Sequence, residues 1–466
     1  MAGNDMHTHD LIVIGSGPGG YRAAVLGKLR GLDVGIVEKA AWGGTCLNRG
    51  CVPKKDWHHT ARLVAASKDA EKRGLQGALT GNLDQAWQHQ HDVVGNIRDS
   101  YLDYFRRSGV HAWHGMARFI DTNTIEVGNE RLHARHFIIA TGSHALVPDN
   151  FPLAAGRILT TDDLFDNPPP AGRRIAIVGS GVVGTEFAFI LSQLGCSILW
   201  LSNSEPLSHS GYSDAALQLL EQALETCDIQ RLPRPEKVTV EDDGVRLEFD
   251  GDRVEKVDWV LLGTGRMPHT EGLDLAAAGV ETGPRGFIKI NPMRRTSAKN
   301  IFAIGDVANP RMTANHAMAD ADLAIANIIQ PNSRLMEFDA VPELVYSAIE
   351  LGRIGMNEDE AIDAGFEPAT GFAAFETNPR AMGQDESEGF VRLIADMDSG
   401  QLLGAEVIGS EAGEIIHTIA SQIGNDDALH RMAHAFYNHP ARTEEIRNAI
   451  ETLAAKWGLK EQVFGE

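Results

Sequence analysis

The feature that most constrains this chain is a strand–turn–helix–strand unit that occurs twice. Residues 10–14 form an apolar run, followed by G-S-G-P-G-G from Gly15 to Gly20, a helix-like segment over 21–30, and a second apolar run, 33–37, ending in Glu38. The grammar returns with an apolar run over 174–178, G-S-G-V-V-G from Gly179 to Gly184, a helical run over 185–194 and a strand over 197–201. The two turns begin 164 residues apart. Each module closes on a similar strand and turn, I-I-A-T-G-S at Ile138 and L-L-G-T-G-R at Leu261. In G-x-G-x-x-G the first glycine permits a tight turn and the second lets the backbone approach a pyrophosphate. The third allows close helix–strand packing, and the helix N-terminus favours negative charge. Gly15, Gly17, Gly20 and Gly179, Gly181, Gly184 therefore predict two α/β nucleotide-binding modules.

The acid that normally follows such a turn accepts hydrogen bonds from ribose hydroxyls. Glu38 stands 23 residues after Gly15, but the matching position after Gly179 is Ser202. A serine neither repels a 2′-phosphate nor attracts one, so NAD and NADP both stay open. Beyond the repeat, the Pro-rich stretch 167–170 reads as a linker, 83–107 as helical excursions, and 301–306 as another strand ending in a carboxylate, Asp306. From about Pro342 no glycine-rich turn appears. Strands over 389–394 and 402–408 and helices over 412–423 and 444–457 suggest a separate α+β domain. The boundaries expected are 1–150, 151–270, 271–340 and 341–466.

Composition narrows the partners. With 466 residues and a net charge of −22, the chain is large enough for about three domains and too acidic for phosphate-backbone or anionic-membrane binding. No apolar run is long enough to span a bilayer, and the polar start runs directly into a strand, so a cytoplasmic protein without a secretory leader is expected. The chain has four cysteines, too few for a disulfide-stapled secreted scaffold.

Two of them, Cys46 and Cys51, sit in G-G-T-C-L-N-R-G-C-V-P-K-K. In a regular helix residues five apart have Cα atoms about 8–9 Å apart, too far for a disulfide, so pairing requires a distortion that Gly50 permits. Pro53 suits the first turn of a helix, which would place Cys51 at a helix N-terminus, where the dipole favours a thiolate. Arg49, Lys54 and Lys55 would act in the same direction. Near the end, N-H-P-A-R-T-E-E places His439 before a proline, with Thr443 a candidate N-cap and Glu444 a carboxylate able to orient an imidazole for acid/base work.

In this order the motifs resemble the flavoprotein disulfide reductases, the family that contains dihydrolipoamide dehydrogenase and glutathione reductase, and the first of these most. The resemblance runs through G-S-G-P-G-G-Y, C-L-N-R-G-C-V-P-K-K, A-T-G-S, G-V-V-G-T-E, G-T-G-R-M-P, A-I-G-D and H-P-x-x-T-E. It implies two Rossmann-like nucleotide-binding domains plus an α+β dimerisation domain. FAD would be held by Gly15, Gly17, Gly20, Glu38, Gly44, Thr45, Lys55, Ala117, Thr141, Gly142, Ser143, Asp306 and Ala314. NAD would be held by Gly179, Gly181, Gly184, Glu186, Ser202 and Gly265. Cys46 and Cys51 would form a redox-active disulfide, and Glu186 would pair with Lys54 or Lys55. His439 and Glu444 would act across a homodimer on a dithiol of a lipoyl-bearing protein. The departures are Ser202, Arg49, Lys54 and Tyr437, and the K-K pair resembles glutathione reductases. Two alternatives accompany this reading: an NAD(P)H-dependent reductase of a small disulfide such as glutathione, and a non-catalytic flavoprotein that serves as an assembly subunit.

Overall fold

The computed structural model describes residues 8–154, 156–336 and 340–465. Two compact units emerge, one made of residues 1–60, 81–175 and 235–336, the other of 61–80, 176–234 and 337–466.

The first unit is built on a seven-stranded sheet. Its opening strand β1 (Thr8–Ile14) leads through the glycine turn into helix α1 (Pro18–Leu29) and then strand β2 (Val34–Glu38). Helices α2 (Gly44–Arg49) and α3 (Cys51–Ser67) follow, then α4 (Leu83–Ser108), a single 26-residue helix where the sequence suggested helical excursions. Strands β3 (His111–His114), β4 (Ala117–Asp121), β5 (Thr124–Val127) and β6 (Glu130–Ile139) complete the order β3-β2-β1-β6-β5-β4. Strands β3, β2, β1 and β6 run parallel, which fits their origin in crossover units.

Strand β6 is long because one edge serves two partners. Its first residues, Glu130 to His133, pair antiparallel with β5, and Phe137 to Ile139 pair in parallel with the strand Ile301–Ala303. That late strand returns the chain to the first sheet and sets Asp306 just beyond its end. Leu11 and Val13 of β1 face one apolar cluster with Ala23, Phe105 and Ile325, while Ile12 and Ile14 face a second with Phe119, Phe137 and Ile301. Both faces are covered, as a central parallel strand requires.

In the second unit the strand Ser197–Leu201 pairs in parallel with Ile229–Leu232, and helix Val182–Gln193 follows the second glycine turn. The C-terminal part is an antiparallel sheet in the order Glu343–Tyr346, Glu350–Gly355, Leu402–Ile408, Phe390–Asp396, Pro368–Ala374. Helix Glu444–Trp457 lays Ile446, Ala449, Ile450, Leu453 and Ala454 against this core. That 3–4 spacing is the apolar stripe of an amphipathic helix. No helix among the described residues is long and apolar enough to cross a membrane.

The segment before this helix is fixed by a buried amide. Asn378, 1% exposed, donates through Nδ2 to Ala441 O (3.0 Å) and Glu445 Oε1 (2.9 Å), while its Oδ1 accepts from the amides of Arg380 and Ala381. Removing it strands four partners, of which Ala381 and Glu445 are buried. Asn378→Ala should therefore lower unfolding free energy by roughly 2–4 kcal/mol, read by denaturant titration.

Candidate functional site

At the first turn, Gly15 has φ +103° and its amide donates to Val37 O at 2.8 Å. A Cβ on Gly20 would lie 1.9 Å from Gly15 O, so that position admits nothing larger than hydrogen. A Cβ on Gly17 would meet nothing within 4 Å, which leaves open space where backbone must approach a ligand. Helix α1 begins at Pro18 and directs its unsatisfied amides at that space.

Glu38 is buried and held from three sides. Ser16 donates to Oε2 through both its amide (2.9 Å) and its hydroxyl (2.7 Å), and the Ala40 amide donates to Oε1 at 2.8 Å. The same Ser16 hydroxyl accepts from the Gly43 amide at 3.0 Å, which ties the glycine turn to the start of α2. A carboxylate so fixed retains lone pairs for ribose hydroxyls. These residues fit an adenine dinucleotide. Ser16 escaped the sequence reading because it occupies a variable position of the motif.

Gly44 and Thr45 open α2, which Asn48 braces by donating to Trp42 O and Gly44 O. The helix stops at Gly50 and α3 restarts at Cys51. This break brings the Cα atoms of Cys46 and Cys51 to 4.6 Å, and the two form a disulfide. Cys51 is the first residue of α3, with Pro53, Lys54 and Lys55 close behind. One expectation is corrected. Arg49 does not lend its charge to the cysteines, because its Nε donates to Asp166 at 2.7 Å with Asp162 and Asp163 nearby.

Elsewhere in the first unit, Ser143 donates to Asp306 Oδ2 at 2.6 Å, and Arg266 Nε donates to the Ser143 hydroxyl at 2.7 Å. Burial pushes the Asp306 carboxyl above its ordinary value, against the pull of Ser143 and Arg266. Thr141 donates to His269 O at 2.7 Å, and Gly142 O accepts from the His269 amide. Ala117 opens β4 and Ala314 opens helix Ala314–Ile329, so each offers backbone and no polar side chain. Gly265 also belongs to this unit, accepting from the Leu146 amide at 2.9 Å.

The second unit repeats the turn closely. Gly179 has φ +110°, its amide donates to Leu201 O at 2.9 Å, and a Cβ on Gly184 would again lie 1.9 Å from the first glycine's oxygen. Beside it is a cavity of about 460 Å³ lined by Ser180, Trp200, Ser202, Asn203, Glu205 and Arg231, among others. Ser202 and Asn203, which follow the motif, supply no arginine, and the pocket gains one from elsewhere. Arg231 arrives from the neighbouring strand, lies 5.0 Å from the Trp200 ring, and is held by Glu221 at 2.7 Å and Glu205 at 3.5 Å. Strand pairing, invisible to a local motif, brings it there.

Glu186 is buried and accepts from the Tyr346 amide at 2.8 Å, while burial, with Glu350 and Glu186 nearby, pushes the Tyr346 phenol up to about 12. His439 precedes a cis proline, with Nδ1 at 3.0 Å from Glu444 Oε1. Glu444 Oε2 also accepts from the Ala441 amide at 2.8 Å, and this amide, then His439, holds its carboxyl below the ordinary value. The expected Thr443 cap is corrected. Thr443 has helical backbone and its side chain caps nothing. Tyr437 donates to Met432 O and packs against the C-terminal core under Arg447.

Comparison with known proteins agrees with this geometry. Residues 9–321 match the model of the pyridine nucleotide-disulphide oxidoreductases, and residues 341–450 match that family's dimerisation domain. The chain is 34% identical to a dihydrolipoyl dehydrogenase of Thermus scotoductus over 96% of this chain and 98% of the relative. It is 31% identical to one of Haloferax volcanii over 95% of each. A mercuric reductase of Lysinibacillus sphaericus is 30% identical over 88% of this chain and 76% of its own length. Among solved structures, LpdA of Mycobacterium tuberculosis superposes with a TM-score of 0.87 at 22% identity, covering 95% of this chain and 99% of that one. Two nucleotide turns, a disulfide opening a helix and full-length relatives lead to one conclusion: the chain belongs to the pyridine nucleotide-disulphide oxidoreductase family.

Proposed function

We propose that the chain is an FAD-dependent dihydrolipoyl dehydrogenase, a cytoplasmic homodimer that oxidises a protein-bound dihydrolipoyl dithiol with NAD. The observation that carries this reading is the Cys46–Cys51 disulfide, which opens α3 in the same unit as the Gly15 turn and the fixed Glu38. The full-length dihydrolipoyl dehydrogenase relatives support the substrate class, and the dimerisation-domain match supports the homodimer. The expected domain roles follow: 1–150 with 271–340 for FAD, 151–270 for the nicotinamide nucleotide, and 341–466 for the interface. The pocket beside Ser202 contains the Glu205 carboxylate and an Arg231 already engaged by acids, which favours NAD over a 2′-phosphorylated nucleotide.

In this mechanism His439 of one subunit, oriented through Nδ1 by Glu444, accepts a substrate thiol proton on Nε2. The resulting thiolate attacks Cys46 Sγ, the Cys46–Cys51 bond breaks, and Cys51 leaves as a thiolate stabilised by the N-terminus of α3. The second substrate thiol then attacks its own mixed-disulfide sulfur, freeing Cys46 and closing the substrate disulfide. Bound FAD supplies the route by which the electron pair held on Cys46 and Cys51 reaches the nicotinamide. Asp306, Ser143 and Arg266 would form the polar end of a site that holds FAD.

Three outcomes are expected. Dihydrolipoamide with NAD should turn over rapidly, while glutathione disulfide with NADPH should not, as measured by nicotinamide absorbance. Activity confined to the second pair would reverse the assignment. His439→Ala should lower dihydrolipoamide oxidation by about 10²–10⁴-fold while NADH-to-dye electron transfer and FAD content persist. Glu444→Gln should destabilise the protein near neutral pH, because a carboxyl whose pKa is lowered on folding stabilises above its unfolded value, 4.5. The difference from wild type should shrink as pH falls through the folded value, as followed by thermal melts across pH.

A further inference from the structure

Three side chains converge at the end of the first sheet opposite the Gly15 turn. His9 lies near the start of β1, Asp33 immediately precedes β2, and His111 opens β3, on three adjacent strands. His9 Nδ1 is 2.8 Å from Asp33 Oδ2, and His111 Nε2 is 3.4 Å from Asp33 Oδ1. One donor atom from each lies within 4.8 Å of the other two. The amides of Asp10 and Leu11 both donate to Asp33 O, at 3.0 and 3.1 Å, so two residues face one, as in a bulge that re-aims side chains.

The surroundings suit a built site. The Asp33 amide donates to Asp10 Oδ2 at 3.0 Å, and the Trp113 and His9 rings pack edge to face with centroids 5.4 Å apart. The His9 side chain is 5% exposed, that of Asp33 30% and that of His111 54%, giving a fixed inner ligand and an outer one reachable from solvent.

We propose that His9, Asp33 and His111 bind a divalent transition-metal ion of the zinc class as a structural clip across β1, β2 and β3. Two imidazoles and a carboxylate are a zinc donor set, and bonds near 2.0–2.2 Å in a tetrahedron place donors about 3.3 Å apart. The gaps of 2.8 Å to Oδ2 and 3.4 Å to Oδ1 lie near that spacing, and one donor atom of each residue lies within 4.8 Å of the others. Water from the His111 side completes four ligands. Neutral imidazoles with one carboxylate leave the complex at +1, which a chain of net charge −22 favours. Ligands drawn from three separate chain segments meet only in the folded state, so the ion stabilises folding.

A second cluster, His144, His269 and Glu271, has similar atom spacing. There Lys39 Nζ lies 2.5 Å from His269 Nε2, so that imidazole nitrogen already has a lysine partner. It serves as the control.

The full-length oxidised protein, stripped with EDTA, exposed to excess zinc and desalted, is assayed by elemental mass spectrometry. About one zinc per chain should remain, falling below about a tenth in Asp33→Asn and His111→Ala and unchanged in His144→Ala. Zinc should raise the melting temperature of wild type and not of His111→Ala, with circular dichroism verifying that each variant is folded. Zinc absent from wild type, or retained equally by folded Asp33→Asn and His111→Ala, would overturn the proposal.

Discussion

The chemistry proposed for this chain depends on a helix that fails at one residue. Continuous helix from Gly44 through Ser67 would hold the sulfurs of Cys46 and Cys51 apart. The stop at Gly50 replaces it with two helices, and the Cα separation falls to 4.6 Å. The break also makes Cys51 the first residue of a 17-residue helix, so one interruption both closes the disulfide and puts a leaving thiolate where the dipole favours it. Asn48 and the Arg49–Asp166 pair secure the short helix before the break. Arg49 thereby acts as an anchor for backbone, with its charge consumed locally.

Much of this was legible in the sequence because it is encoded locally. The strands at 174–178, 197–201 and 402–408 and the helix at 444–457 agree residue for residue with the structure, since each has a clear apolar period between strong punctuation. The glycine turns were legible for the same reason, as was the helix start at Cys51. What escaped was non-local. Arg231 reaches the pocket beside the second glycine turn through strand pairing, and Ser16 gains its importance from Glu38, 22 residues later. Asn378 is an ordinary-looking residue until the fold buries it beneath Ala441 and Glu445. The missing Thr443 cap has a local explanation: Glu444, one residue on, already accepts from Ala441, and Thr443 has helical backbone where a cap needs an extended one.

Carboxylates do most of the positioning. Glu38 is fixed by Ser16 and Ala40, Glu444 joins an imidazole to a backbone amide, Asp166 anchors Arg49, and Asp320, itself buried, holds Arg294 at 2.5 Å and the Gly305 amide beside Asp306. A chain with net charge −22 is therefore not merely coated with acids. Several of its acidic groups are bound to donors whose geometry they define, and charge-assisted contacts of this kind are shorter and more directional than neutral ones.

The first glycines of the two turns both have φ above +100° and their closing hydrogen bonds agree to within 0.1 Å, yet the residues that follow 23 positions later differ completely in charge. In the proposed function, pyrophosphate capture and sugar discrimination would thus be mechanically separable, with the loop at one strand's end and the selector at its neighbour's. A protein engineer could rewrite the residues from 202 to 205 to exchange one coenzyme for another while leaving the cradle untouched. Duplicated folds gain their versatility from this division of labour.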